Sequence, residues 1–146
     1  MPKTSDKPDS VIEKARELHG HLGPFLVIGV RMGEYAKKML KGEMKVLIKV
    51  PMVTPLSCII DGIQASTQCT VGNGKLSIEG SEKEIVAHFK SQKFRKSIKI
   101  HVKPKLVEEL KQKLSQGIAN EDLAQKVAYA LEDEIFNVKK AINSLE

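Results

Sequence analysis

The chain has 146 residues, 41% hydrophobic and 29% charged, with a formal net charge of +6. That is enough for one domain with its own core, in the range of ordinary globular proteins. No apolar run approaches the roughly 20 residues of a membrane span, and the polar N-terminus lacks the apolar stretch of a secretory signal, so a cytoplasmic protein without a membrane partner is expected.

Residues 1–9 read as a disordered lead-in to a single domain over 10–146. Ser10 and Glu13 have capping-box spacing for a first helix, with Ile12, Ala15 and Leu18 at helical intervals and Gly20 suited to the left-handed position past its end. The chain then turns through His19-Gly20-His21-Leu22-Gly23, and Pro24 opens a second helix that runs to about residue 41. Gly29 and Gly33 lie one turn apart on it, which admits close approach of a neighbouring element. Residues 44–51 alternate, with Val46, Ile48 and Val50 on one side and Lys45 and Lys49 on the other, as in a half-buried strand.

Residues 57–69 read as a helix, ended by the Gly72-Asn73-Gly74 turn. Strands follow at 75–79, 84–89 and 97–103, the last alternating cleanly through Ile98, Ile100 and Val102. Pro104 starts an amphipathic helix on Leu106, Leu110 and Leu114, stopped by Gly117. Asn120 caps a final helix whose buried stripe is Leu123, Val127, Leu131, Ile135 and Val138. The order α-α-β-α-β-β-β-α-α predicts an α+β domain, with helices packed on a mixed, mostly antiparallel sheet of about four strands.

His19 and His21 would point about 200° apart on an ideal helix, so they converge only if the chain turns between them, as Gly20 allows. Two imidazoles there suit metal ligation or proton transfer. Cys58 falls in the first turn of its helix, where the dipole lowers a thiol pKa and favours a thiolate. The plainer reading of Cys58 is a buried small hydrophobe. Cys69 returns to nearly the same face, but roughly 16 Å along the axis if the helix is continuous, too far to share a metal or a disulfide with Cys58. It would line the far end of a groove or approach a second subunit.

Asp61, one turn beyond Cys58, is placed to orient a histidine, and Gln64 to meet a ligand amide or carbonyl. The segment from Thr70 through Gly72 to Lys75 looks like a phosphate-cradling loop, but it leads from helix to strand, the reverse of a P-loop; a small-anion nest remains open. Cysteine spacing excludes a zinc ribbon, since no C-x-x-C pair occurs. His88 and His101 read as part of a solvated sheet face, and the lysines between 90 and 105 as a solvated loop. Aromatic content of only 4%, with no Trp, counts against a nucleic-acid partner.

Taken together, four segments resemble the FmdE family, named for the E-type subunit of the formylmethanofuran dehydrogenase of methanogenic archaea. They are His19-Gly-His-Leu-Gly-Pro24, Gly29-Val-Arg-Met-Gly33, Cys58-Ile-Ile-Asp-Gly-Ile-Gln64 and Cys69-Thr-Val-Gly-Asn-Gly74, within a match over about residues 10–105. The resemblance implies an α+β core domain, commonly a homodimer, with a metal-associated pocket between the histidine turn and the cysteine helix. His19, His21 and Cys58 would then hold zinc or another divalent transition metal, with Asp61, Gln64, Cys69, Thr70 and Gly72 around them.

Some family members add a C-terminal zinc finger; this chain, with no cysteine after Cys69, is similar to a core-only member. Many relatives carry cysteine where Gly23 stands, and tend to read Gly-Lys-Gly-Asn where Gly72-Asn-Gly-Lys75 stands. Without that thiolate the donor set reduces to His19, His21, Cys58 and solvent. The implied role is an accessory to formylmethanofuran dehydrogenase or related one-carbon, molybdenum or tungsten redox metabolism, with a small anionic ligand or a larger dehydrogenase complex as partner. Two alternatives stay open: a stand-alone enzyme with a Cys58 thiolate and His21 or His19 as base, and a dimeric interaction module without catalysis.

Overall fold

Alternating apolar residues build a single sheet from β1 (Met44–Val50), β2 (Leu76–Gly80), β3 (Val86–Ser91), β4 (Lys96–Val102) and β5 (Phe136–Ile142), in the order β2-β1-β3-β4-β5. The structure, a computed structural model, describes residues 3–142, and side chains over 10–141. The outer ends of the expected lead-in and domain, 1–2 and 143–146, lie outside the described residues. Strand β1 pairs β2 in parallel, and the other three pairings are antiparallel. The helices are α1 (Lys3–His19), α2 (Pro24–Leu40), α3 (Cys58–Thr67), α4 (Pro104–Ser115), α5 (Asn120–Tyr129) and α6 (Glu132–Ile135). The fold is α+β as expected, with α3 as the crossover between the two parallel strands.

Val46, Ile48, Val50, Ala87, Phe89, Ile98, Ile100 and Val102 form the buried face of the sheet. Helix α2 lies at the centre, with α3, α1 and α5 against it and its other contacts on β3 and β4. That position explains why residues 24–30 are buried without a polar face. The α2–α3 crossing is close because it is made of glycines. A Cβ added at Gly29 would lie 2.3 Å from the Ile59 carbonyl oxygen, and one at Gly62 would lie 2.2 Å from that of Leu26. The expected role of Gly29 and Gly33 is thus met, with Gly62 as a partner.

Three local expectations are corrected. Helix α1 begins at Lys3, so Ser10 lies inside it rather than capping it, and the expected lead-in overlaps its first turns. Helix α3 ends at Thr67, where Gln68 turns left-handed at φ 65°, so Cys69 is off the helix. The final helix is interrupted. Helix α5 stops at Tyr129, Leu131 is 67% exposed, and the chain ends in a fifth strand with Val138 opposite Ile100. The spacing of Ile135 and Val138 suits a helix locally, but the open edge of β4 pairs with this segment and satisfies its backbone as a strand.

The break has a specific cause. Arg31, extending from α2, donates through Nη1 to the carbonyl oxygens of Val127, Ala128 and Ala130 at 2.8, 3.1 and 2.9 Å. These are carbonyls that a continuing helix would bond internally. Among the described residues no helix is long and apolar enough to cross a membrane.

Candidate functional site

Helix α1 ends at His19, and Gly20, at φ 105°, turns the chain so that a second imidazole follows at once. The rings of His19 and His21 sit edge to face, centroids 4.8 Å apart and planes at 83°. His19 Nδ1 lies 2.7 Å from Asp61 Oδ2 on α3. A carboxylate accepts only, so Nδ1 carries the proton in this bond, and Nε2 is the ring atom left for other chemistry. The His19 side chain is 15% exposed and that of Asp61 35%, while His21 is exposed, so the pair is sheltered but reachable. Asp61 is held there by the neighbouring Gly62, through which α3 presses on α2.

Two helix N-termini meet beside His21. Gly23 caps α2 and Ala119 precedes α5, and neither end has a side-chain capping bond. A Cβ on Gly23 would lie 3.0 Å from Asn120 Oδ1 and 3.9 Å from His21 Cε1. Asn120, expected as a cap, is the first residue of α5 and forms a wall of this corner instead. No local signal in the sequence ties it to His21; only the packing of α5 on α2 does. The partial positive charges of both helix ends favour an anion here.

Cys58 is placed at the start of α3 as expected, but its thiol pKa is raised, by burial first and by Asp61 second. The expected lowering by the helix dipole is therefore overturned: the side chain is only 8% exposed in the core, with a carboxylate one turn away. Cys58 should accordingly alkylate more slowly than an ordinary free thiol across neutral pH, measured with a maleimide or iodoacetamide. Faster reaction would restore the thiolate-nucleophile reading.

The structure joins His19, His21 and Asp61 but does not gather His19, His21 and Cys58 into one ligand set. Among the described residues no group of three or more His, Cys, Asp or Glu side chains is placed to hold a metal. Two imidazoles and an orienting carboxylate fall short of the closed tetrahedral set of a structural zinc site. The reason is packing, since Cys58 belongs to the hydrophobic core and the imidazoles to the surface end of α1.

Gln64 is half-buried one turn beyond Asp61. Cys69, Thr70 and Gly72 lie past the opposite end of α3. The buried Cys69 thiol donates to the Met44 carbonyl oxygen at 3.4 Å, and Cys69 lines a separate groove with Lys37, Glu43, Thr67 and Lys75. The expected anion nest is filled from within. Asn73 Oδ1 accepts from the backbone N–H groups of Thr70 and Lys75, each at 3.0 Å.

The sequence profile described as FmdE, molybdenum formylmethanofuran dehydrogenase operon, matches residues 18–144. Over 68 residues the chain is 38% identical to a probable S-adenosyl-L-methionine-binding protein of Archaeoglobus fulgidus, an alignment covering 43% of this chain and 19% of that protein. The chain thus spans under a fifth of the length of that curated relative. Its fold is similar to the crystal structure of an FmdE-like protein of the tungsten formylmethanofuran dehydrogenase type from Syntrophus aciditrophicus. The TM-score is 0.68 at 18% identity, covering 94% of this chain and 73% of that one.

Proposed function

This chain belongs to the FmdE family, and we propose that it is a small-ligand-binding accessory to formylmethanofuran dehydrogenase or related one-carbon redox metabolism, with His19, Asp61 and His21 as its binding centre. The observation that carries the reading is the 2.7 Å bond from His19 Nδ1 to Asp61. A ring fixed in tautomer and orientation by a carboxylate offers Nε2 to a ligand at no further ordering cost. The two uncapped helix ends beside His21 make that ligand a small anion. A homodimer belongs to the same reading, and a solution mass measurement tests it.

The test uses formate as probe, followed by NMR of the two imidazoles. Asp61→Asn keeps the side chain's shape but removes its charge. It should weaken formate binding at His19 by about 10- to 100-fold, the range for loss of an orienting carboxylate. Equal affinity in both proteins would sink the proposal. S-adenosyl-L-methionine is a second probe, suggested by the name of the Archaeoglobus relative.

Zinc or another divalent transition metal is the second reading, favoured by the adjacency of two imidazoles of which one is carboxylate-oriented. Elemental analysis of the purified protein separates the two. Stoichiometric metal that is lost in His21→Ala and in Cys58→Ser would establish the metal centre in place of the anion site.

A further inference from the structure

The helices cover one face of the sheet, and the other face carries the alternate residue of every strand. In register across that face, Lys45 stands opposite Lys90, His88 opposite Lys99, and Lys99 opposite Lys139. Like charges directly opposite one another on a sheet are destabilising, so this face holds electrostatic repulsion that the rest of the fold must outweigh. Among the described residues, Lys90, Lys99 and Lys139 have no carboxylate within ion-pair distance. Lys49 has one, Glu79, at a loose 3.9 Å.

At the centre, where β1, β3 and β4 adjoin, the face is concave. A cavity of about 190 Å³ is lined by the apolar Leu47 and Val86, with Lys49, His88, Lys99 and His101 around them and the single carboxylate of Glu84. His88 and His101 are diagonal neighbours, since Val86 lies opposite His101 and His88 opposite Lys99. Burial, and then the ammonium groups of Lys90 and Lys99, hold the His88 imidazole below its usual pKa.

We propose that this cavity is a second binding site, for a small dianionic oxyanion: inorganic phosphate or the phosphate group of a small molecule, held by Lys49, Lys99 and the ring N–H groups of His88 and His101. A dianion neutralises both lysines at once, and the half-buried apolar lining strengthens each charge-assisted hydrogen bond relative to water. The cavity is too small for more than a phosphate with a short attached group. No Phe or Tyr side chain stands among the described residues of this face, so it lacks the stacking platform a single-stranded nucleic acid would use.

The test titrates inorganic phosphate into the full chain at constant ionic strength, with chloride as control, and follows backbone amide shifts. Saturable shifts centred on β1, β3 and β4 are expected. Lys99→Gln should weaken binding at least tenfold and also raise the melting temperature of the phosphate-free protein, because it removes the Lys99–Lys139 opposition. A purely structural lysine would not produce that pair of opposite effects. Lys49→Gln should weaken binding without needing that rise. Asp61→Asn should bind phosphate as the parent does, which keeps this site's failure distinct from failure at His19. Shifts that never saturate, undiminished binding by Lys99→Gln, or binding of a single-stranded oligonucleotide without binding of phosphate would each overturn the proposal.

Discussion

Gly62→Ala is expected to destabilise the protein by roughly 2–4 kcal/mol, the upper part of the range for overpacking. The added Cβ would meet the Leu26 carbonyl oxygen at 2.2 Å, the Val30 nitrogen at 2.8 Å and the Gly29 Cα at 2.9 Å. All three are backbone atoms of α2, so no side chain can swing aside, and the helices must separate. Alanine's better helix propensity returns only about 1 kcal/mol. For a domain of this size the net loss lowers the melting temperature by on the order of 10 °C. The strain should also reach the His19–Asp61 bond, because Asp61 is the adjacent residue.

Gly29→Ala should behave alike, as its Cβ would meet the Ile59 carbonyl oxygen at 2.3 Å. The two substitutions press on the same crossing, so the double variant should lose less than the sum of the singles. Gly72→Ala is the control. Its Cβ would meet nothing closer than Thr70 Oγ1 at 3.9 Å, and its stability should be nearly unchanged. Thermal or urea unfolding measures all four proteins, and a Gly62→Ala protein as stable as the parent would refute the close crossing.

Arg31→Met is the second large effect, expected to cost about 2–3 kcal/mol, the worth of a charge-assisted hydrogen-bond set whose loss leaves partly buried carbonyls unpaired. The methionine keeps much of the apolar stem, which isolates the guanidinium's part. Arg31 is half-buried, and burial lowers its pKa while Glu132 opposes that shift. The consequence should be local before it is global. Amide exchange should accelerate at the end of α5 and in β5, the segment whose path those carbonyls define. Arg31→Lys should recover part of the loss, since an ammonium can reach fewer of the three carbonyls at once. Unaltered exchange around residues 127–138 in Arg31→Met would count against this role.

These variants also mark where local pattern sufficed. Residues 44–50 and 96–102 alternate so regularly that a strand with one buried face is the only arrangement that hides Val46, Ile48, Ile98 and Ile100 together. Pro24 and Pro104 each open a helix where their missing N–H costs nothing. The turn at His19-Gly20-His21 was legible for a similar reason, since a glycine between two imidazoles allows them to converge. Asp61 as the partner of a histidine was also within reach, because its place one turn beyond Cys58 put a carboxylate on the helix expected to face that turn.

What the chain order could not reveal depended on partners distant in sequence. The stripe of Leu123, Val127, Leu131, Ile135 and Val138 reads as one helix until Arg31 takes the carbonyls at its middle and β4 offers an edge for its end. Cys58 kept its place at a helix start, but burial outweighed the dipole and raised its pKa. That balance depends on how much protein surrounds the sulfur, which spacing does not encode. The basic stretch looked like a solvated loop because its members are scattered along the chain, and only strand register sets Lys99 against Lys139 and beside His88. Local stereochemistry thus determined the elements and the histidine turn. Tertiary packing decided which groups share a dielectric environment and which charges stand opposite one another, and on that the chemistry of both sites depends.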